Sequence, residues 1–101
     1  MVDYKITTTK AFTVLYLSGS LSHPDHATFA KIITEIAHGG DRHVILDVGH
    51  LTYIDASGFG MLIVAQEVTT KNGGEFRIRH ASAQFKELGE RIHTSQIMKI
   101  S

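Results

Sequence analysis

The chain has 101 residues, ten Lys and Arg against ten Asp and Glu, one Pro, no Cys, no Trp and 43% apolar side chains. That is enough for one soluble domain, expected to occupy 1–101 as a single unit, and too little for a second core. Zero formal charge supplies no electrostatic footprint for nucleic acid or anionic lipid, and the longest unbroken apolar run, Met61 to Ala65, is far short of the roughly 20 residues that cross a bilayer. Without Cys there are no disulfides, thiolate metal sites or cysteine nucleophiles. The polar start Met1-Val2-Asp3-Tyr4-Lys5 lacks the order of a signal peptide, so a cytoplasmic location without membrane insertion is expected.

Tyr4 to Thr8, then Phe12, Val14 and Tyr16 with Leu15 and Leu17 on the opposite side, predict two strands joined as a hairpin near Thr9-Lys10-Ala11, the second ending at Gly19. Pro24 suits the first turn of a helix, along which Phe29, Ile32, Ile33, Ile36 and Ala37 recur on one face until Gly39-Gly40 stop it. His43 to Val48 reads as a central strand, β-branched and apolar on both faces. A second helix is expected from roughly Ser57 to Lys71, closed by Asn72-Gly73-Gly74. Glu75 to His80 alternates as a half-wet strand does. A third helix from Ser82 to about Ile92, with Phe85, Leu88 and Ile92 inward, and a short strand at Ile97 to Ile100 complete an α/β order ββαβαβαβ.

The unusual piece runs from Ile54 to Ala65. From Gly58 to Ala65 no residue is polar, although eight helical residues sample every side of the helix and a surface helix has a wet face. The larger groups Phe59, Leu62 and Ile63, with Gln66, mark the expected core face, leaving Gly60, Met61 and Val64 outward; Met61→Arg is then expected to leave the fold intact. Two glycines early in a helix cost about 1 kcal/mol each relative to Ala. Gly58 and Gly60 either seat the helix tightly on its own sheet or admit the backbone of another protein. Asp55 and Ser57 are both good N-caps, and the same helix N-terminus would favour a phosphate. Asp55-Ala56-Ser57-Gly58-Phe59-Gly60 matches neither a nucleophile elbow nor a phosphate loop.

Val44-Ile45-Leu46-Asp47 and Leu51-Thr52-Tyr53-Ile54-Asp55-Ala56-Ser57-Gly58-Phe59-Gly60-Met61-Leu62, with Leu17-Ser18-Gly19-Ser20-Leu21-Ser22, Gly73-Gly74-Glu75-Phe76 and the closing helix and strand, resemble the STAS domain family, the fold of bacterial anti-sigma factor antagonists. The resemblance implies a mixed sheet with helices mainly on one side, and an interaction module rather than an enzyme. It further implies a partner that is a serine/threonine kinase-like anti-sigma factor, met through Ser22, Asp55, Ala56, Ser57, Gly58, Gly60, Met61 and Val64. In the family the hydroxyl residue after the Asp is the phospho-acceptor. Here that position is Ala56, the next is Ser57, and the turn Asp of the family's Gly-x-Leu-Asp is Ser22. Three outcomes are open: constitutive binding, phosphorylation at Ser57, or use without phosphate as a subunit or scaffold of a transporter or stress complex. The chain is expected to close on its last strand, without the further C-terminal helix of many relatives.

No cofactor is implied. Among seven histidines, only His23 and His26 stand three apart, with Asp25 the nearest carboxylate; that is short of a metal ligand set, and no metal is expected. Arg77, Arg79 and His80 read as a solvated strand face whose cations suit an acidic partner.

Overall fold

A computed structural model of the chain describes residues 1–9, 11–38 and 43–91, and the backbone of 99–100. Strand β1 (Val2–Thr8) runs antiparallel to β2 (Phe12–Leu21). A short 3-10 turn (His23–Asp25) leads into α1 (His26–Ala37). Then follow β3 (His43–Ile54), α2 (Ala56–Lys71), β4 (Phe76–Arg79), α3 (Ala83–Arg91) and β5 (Lys99–Ile100). The sheet order is β1-β2-β3-β4-β5, and every pair after the first is parallel. This is the expected element order. The expected Ile92, Ile97 and Met98 positions lie outside the described residues.

Period-two alternation decides which face the helices cover. Leu15 and Leu17 of β2, Val44, Leu46 and Val48 of β3, and Phe76 and Ile78 of β4 are all buried. Over them lie α1, through Phe29, Ile32 and Ile36, and α2, through Phe59, Leu62 and Ala65. Phe85 of α3 meets Phe59 with ring centroids 4.6 Å apart. Each of these larger apolar side chains contributes about 1.5–3 kcal/mol on leaving water, so this single layer carries the fold.

Two strand readings need correction. Gly19 does not end β2, which continues to Leu21. Its φ of +80° falls where the β2–β3 register shifts between Gly19 and Ser20, so the glycine serves a bulge, and Thr52 Oγ1 donates to its carbonyl at 2.9 Å. Nor is β3 apolar on both faces. Its helix-free side carries half-buried His43 and Ile45 and buried Asp47, in register with Tyr16 on one side and Arg79 on the other.

Asp47 Oδ2 accepts from Arg79 Nε at 3.0 Å and lies 2.9 Å from His80 Nδ1, while Oδ1 accepts from Gly49 N at 2.9 Å. The Arg79 guanidinium also stacks over the Tyr16 ring, 5.8 Å from its centroid. Burial pushes the Asp47 carboxyl up, but the Gly49 amide, Arg79 and His80 outweigh it and hold the group below the usual carboxylate range. A group with a lowered folded-state pKa stabilises fully above its unfolded value, and the contribution fades as pH falls through the folded one. Asp47→Asn is therefore expected to cost about 1–3 kcal/mol at neutral pH and to flatten the loss of stability below about pH 4, both read from urea midpoints across pH.

Candidate functional site

The site is built where β2 and β3 deliver the chain to the turn at Ser22 and the start of α2. Asp55 has extended backbone (φ −106°, ψ −178°), and its Oδ1 accepts from Gly58 N at 2.7 Å. A side-chain oxygen placed there satisfies one otherwise unpaired helix donor, so Asp55 is the N-cap and α2 begins one residue earlier than expected, at Ala56. Ala56 and Ser57 are both exposed. Among the described residues the Ser57 hydroxyl has no hydrogen-bond partner, so capping rests on Asp55 alone. The positive end of the α2 dipole lies beside these two side chains.

The two glycines have different reasons. A Cβ at Gly58 would overlap the Leu21 carbonyl oxygen and stand 2.8 Å from Ile54 Cγ1, so Gly58 lets the first turn sit directly on the end of β2. A Cβ at Gly60 would meet nothing within 4 Å. Gly60 is exposed, and so is Val64 one turn later, at 45%. Ala56, Gly60 and Val64 thus form an exposed stripe at i, i+4, i+8, continued by Glu67 and Lys71.

Met61 does not belong to that stripe. It is only 3% exposed and lies in the core, and Met61→Arg cannot be the harmless surface change expected from the sequence. The buried face comprises Gly58, Phe59, Met61, Leu62, Ala65 and Thr69; Phe59 and Leu62 are inward as expected, whereas Ile63 and Gln66 are half-buried. Ranking residues by size placed Phe59 and Leu62 in the core and Gly60 and Val64 outward correctly, but missed that the buried face extends past them to Met61, where small Gly58 and Ala65 let the helix approach the protein's own backbone.

Ser22 is half-buried at the turn before α1. The carboxylate that organises this turn is Asp25, which is 4% exposed and accepts from Val2 N and Ser22 N, each at 3.0 Å. Burial raises its pKa, but these two amides and the Met1 ammonium bring it below the ordinary value. Asp25 therefore turns away from the exposed pair His23 and His26, whose rings stand 5.8 Å apart. Among the described residues no group of three or more His, Asp or Glu is placed to hold a metal ion. Arg79 and His80 both bond Asp47, His80 while remaining exposed; exposed Arg77 lies 3.6 Å from Glu75 instead.

One exposed aromatic near the site escaped the sequence reading: Tyr53, two residues before the cap and 58% exposed. It lines a groove of about 300 Å3 with Leu51, Ile54, Phe85 and Leu88. An aromatic two residues before a helix N-cap was the available signal.

A mixed sheet covered on one face, with a capped helix start and an exposed stripe of small residues beside it, defines an α/β domain that leaves one end of a helix accessible. The STAS domain family model matches residues 3–101, and the chain belongs to the STAS domain family. Among solved structures, an anti-sigma factor antagonist from Mycobacterium paratuberculosis matches with a TM-score of 0.86 at 11% identity, over 99% of this chain and 85% of that one. The antagonist SpoIIAA in its unphosphorylated form matches with a TM-score of 0.80 at 21% identity, over 98% and 88%. The murine anion transporter Slc26a9 matches with a TM-score of 0.67 at 18% identity, over 80% of this chain but 14% of the transporter. No helix among the described residues is long and apolar enough to cross a membrane.

Proposed function

We propose that this domain acts by binding, without catalysis of its own, as an anti-sigma factor antagonist-like partner-switching protein in the cytoplasm. Its partner is a serine/threonine kinase-like anti-sigma factor or a related switch protein. The contact surface is Ser22, Asp55, Ala56, Ser57, Gly60 and Val64, with Gly58 shaping it from beneath. The observation that carries this reading is Gly60, a destabilising helix residue that nothing in the domain's own packing requires. A partner backbone approaching the Ala56–Gly60–Val64 stripe supplies the missing reason. SpoIIAA is a relative with solved unphosphorylated and phosphorylated forms; here Ala56 offers no oxygen, and Ser57 lies one residue further into α2.

One residue along the chain displaces a side chain by up to about 3.5 Å and redirects it, more than in-line phosphoryl transfer tolerates when the kinase is built for the preceding position. The protein is therefore expected to bind its partner without efficient phosphorylation. The test is incubation with the cognate kinase and ATP, read by intact mass. Unaltered protein should stay unmodified, while Ala56→Ser should gain one phosphate and lose partner affinity. Rapid stoichiometric phosphate on Ser57 would refute the silent switch, and undiminished binding by Val64→Arg would refute the surface. The transporter match supports the second reading, a STAS subunit or scaffold that uses the same stripe without phosphate; co-purification with membrane transport proteins in place of a kinase would select it.

A further inference from the structure

The turn before α1 and the start of α2 are joined through one peptide group. The N–H of the Leu21–Ser22 peptide donates to Asp25 Oδ2 at 3.0 Å, and its carbonyl, on Leu21, accepts from Asp55 N at 3.3 Å. A peptide unit is planar and rigid, so fixing its N–H end fixes the direction of its carbonyl. Hydrogen bonds at the two ends also polarise one another. The same carbonyl is the surface on which Gly58 rests, since a Cβ there would overlap it. The other Asp25 oxygen holds Val2 N at 3.0 Å, anchoring the carboxylate to β1, and the Ser22 hydroxyl, 3.4 Å from Oδ2, closes the arrangement.

We propose that Asp25 is a positioning residue for the partner-facing end of α2: it aims the Leu21 carbonyl that orients the Asp55 cap, and so keeps the first turn bearing Ala56, Ser57 and Gly60 wound and in place. The acidic group that the turn lacks at Ser22 is supplied from position 25, on the inner side of the chain. Edge strand β1 and the exposed start of α2 are thereby coupled through a single carboxylate. The consequence for binding rests on the partner-facing reading of this surface, whereas the coupling itself is measurable without any partner.

The experiment is amide hydrogen exchange by NMR on the full chain and on Asp25→Asn, which keeps the side chain's shape but replaces one acceptor oxygen with a donor facing the amides. Exchange at Gly58, whose N–H is held by Asp55 Oδ1 at 2.7 Å, and at Phe59, bonded to Asp55 O at 3.0 Å, should accelerate at least tenfold. Exchange at Leu46 and Val48 in β3, and at Thr69 and Asn72 at the far end of α2, should change less than threefold. If Asp25→Asn does not fold, Asp25→Glu, which retains the charge but lengthens the reach by one methylene, is judged by the same criterion. A uniform acceleration at all six amides would mean that Asp25 only supports global stability, and no change at Gly58 and Phe59 would mean that the peptide does not transmit; either overturns the proposal. Neither result depends on whether a kinase-like partner is ever found.

Discussion

Met61→Arg is expected to lower the urea midpoint by about a third or more, up to loss of the native circular dichroism signal at 25 °C. Met61 is 3% exposed and belongs to the core beneath α2. The buried carboxylates among the described residues, Asp25 and Asp47, already hold partners of their own. Breaking buried charge pairing costs about 3–5 kcal/mol, and an unpaired buried charge added to the loss of the Met side chain reaches at least that. A domain of this size holds about 5–15 kcal/mol in total, so a third of its stability is lost at the upper end of that range and nearly all of it at the lower. Val64→Arg is the internal control. Val64 sits three residues on, 45% exposed, and its arginine keeps its charge in water, so the urea midpoint should move by less than the equivalent of about 0.5 kcal/mol. A Met61→Arg protein with an unchanged urea midpoint would mean that α2 is rotated about its axis relative to the face described here.

That contrast also shows where the sequence was legible and where it was not. Element order and the central position of β3 could be read because period-two and period-3.6 patterns survive in Leu15–Leu17, Val44–Leu46–Val48 and Phe29–Ile32–Ile36. The rotation of α2 could be read only in part, with Phe59 and Leu62 inward and Val64 outward but Met61 misplaced, because its first half is apolar on every side and periodicity is silent there. The Leu21 carbonyl under Gly58 shows how far round the buried side extends. Asp47 was hidden for a related reason: within an apolar run a lone carboxylate looks incidental until register places Arg79 beside it. Asp25 was visible as a residue but not as the holder of the Ser22 turn, since its partner Val2 is 23 positions away. The helix cap, by contrast, depends on local spacing alone and was narrowed from sequence to Asp55 or Ser57, between which only the Asp55–Gly58 hydrogen bond decides.

Gly58→Ala and Gly60→Ala are expected to move stability in opposite directions, although both replace a helical glycine two residues apart with the best helix former. Intrinsic propensity favours each change by about 1 kcal/mol. At Gly60 nothing opposes it, for the new methyl points into open space, and the melting temperature should rise by roughly 4–8 °C, the shift that about 1 kcal/mol produces in a domain of this size. At Gly58 the methyl collides with the Leu21 carbonyl, a backbone atom that cannot swing aside, and with Ile54 Cγ1 at 2.8 Å. Overpacking of this kind costs about 1–3 kcal/mol, and it also pushes against the peptide that holds the Asp55 cap. Gly58→Ala should therefore melt lower than the unaltered protein despite its better propensity, by an amount read in the same thermal scan. The binding measurement then separates the two roles. The more stable Gly60→Ala protein should bind the partner more weakly, because its added methyl occupies the space that a closely approaching backbone would use. Gain of stability with loss of affinity in one variant is the signature of a glycine kept for contact with another molecule; a Gly60→Ala protein that is both more stable and fully competent to bind would leave that glycine without a role on this surface.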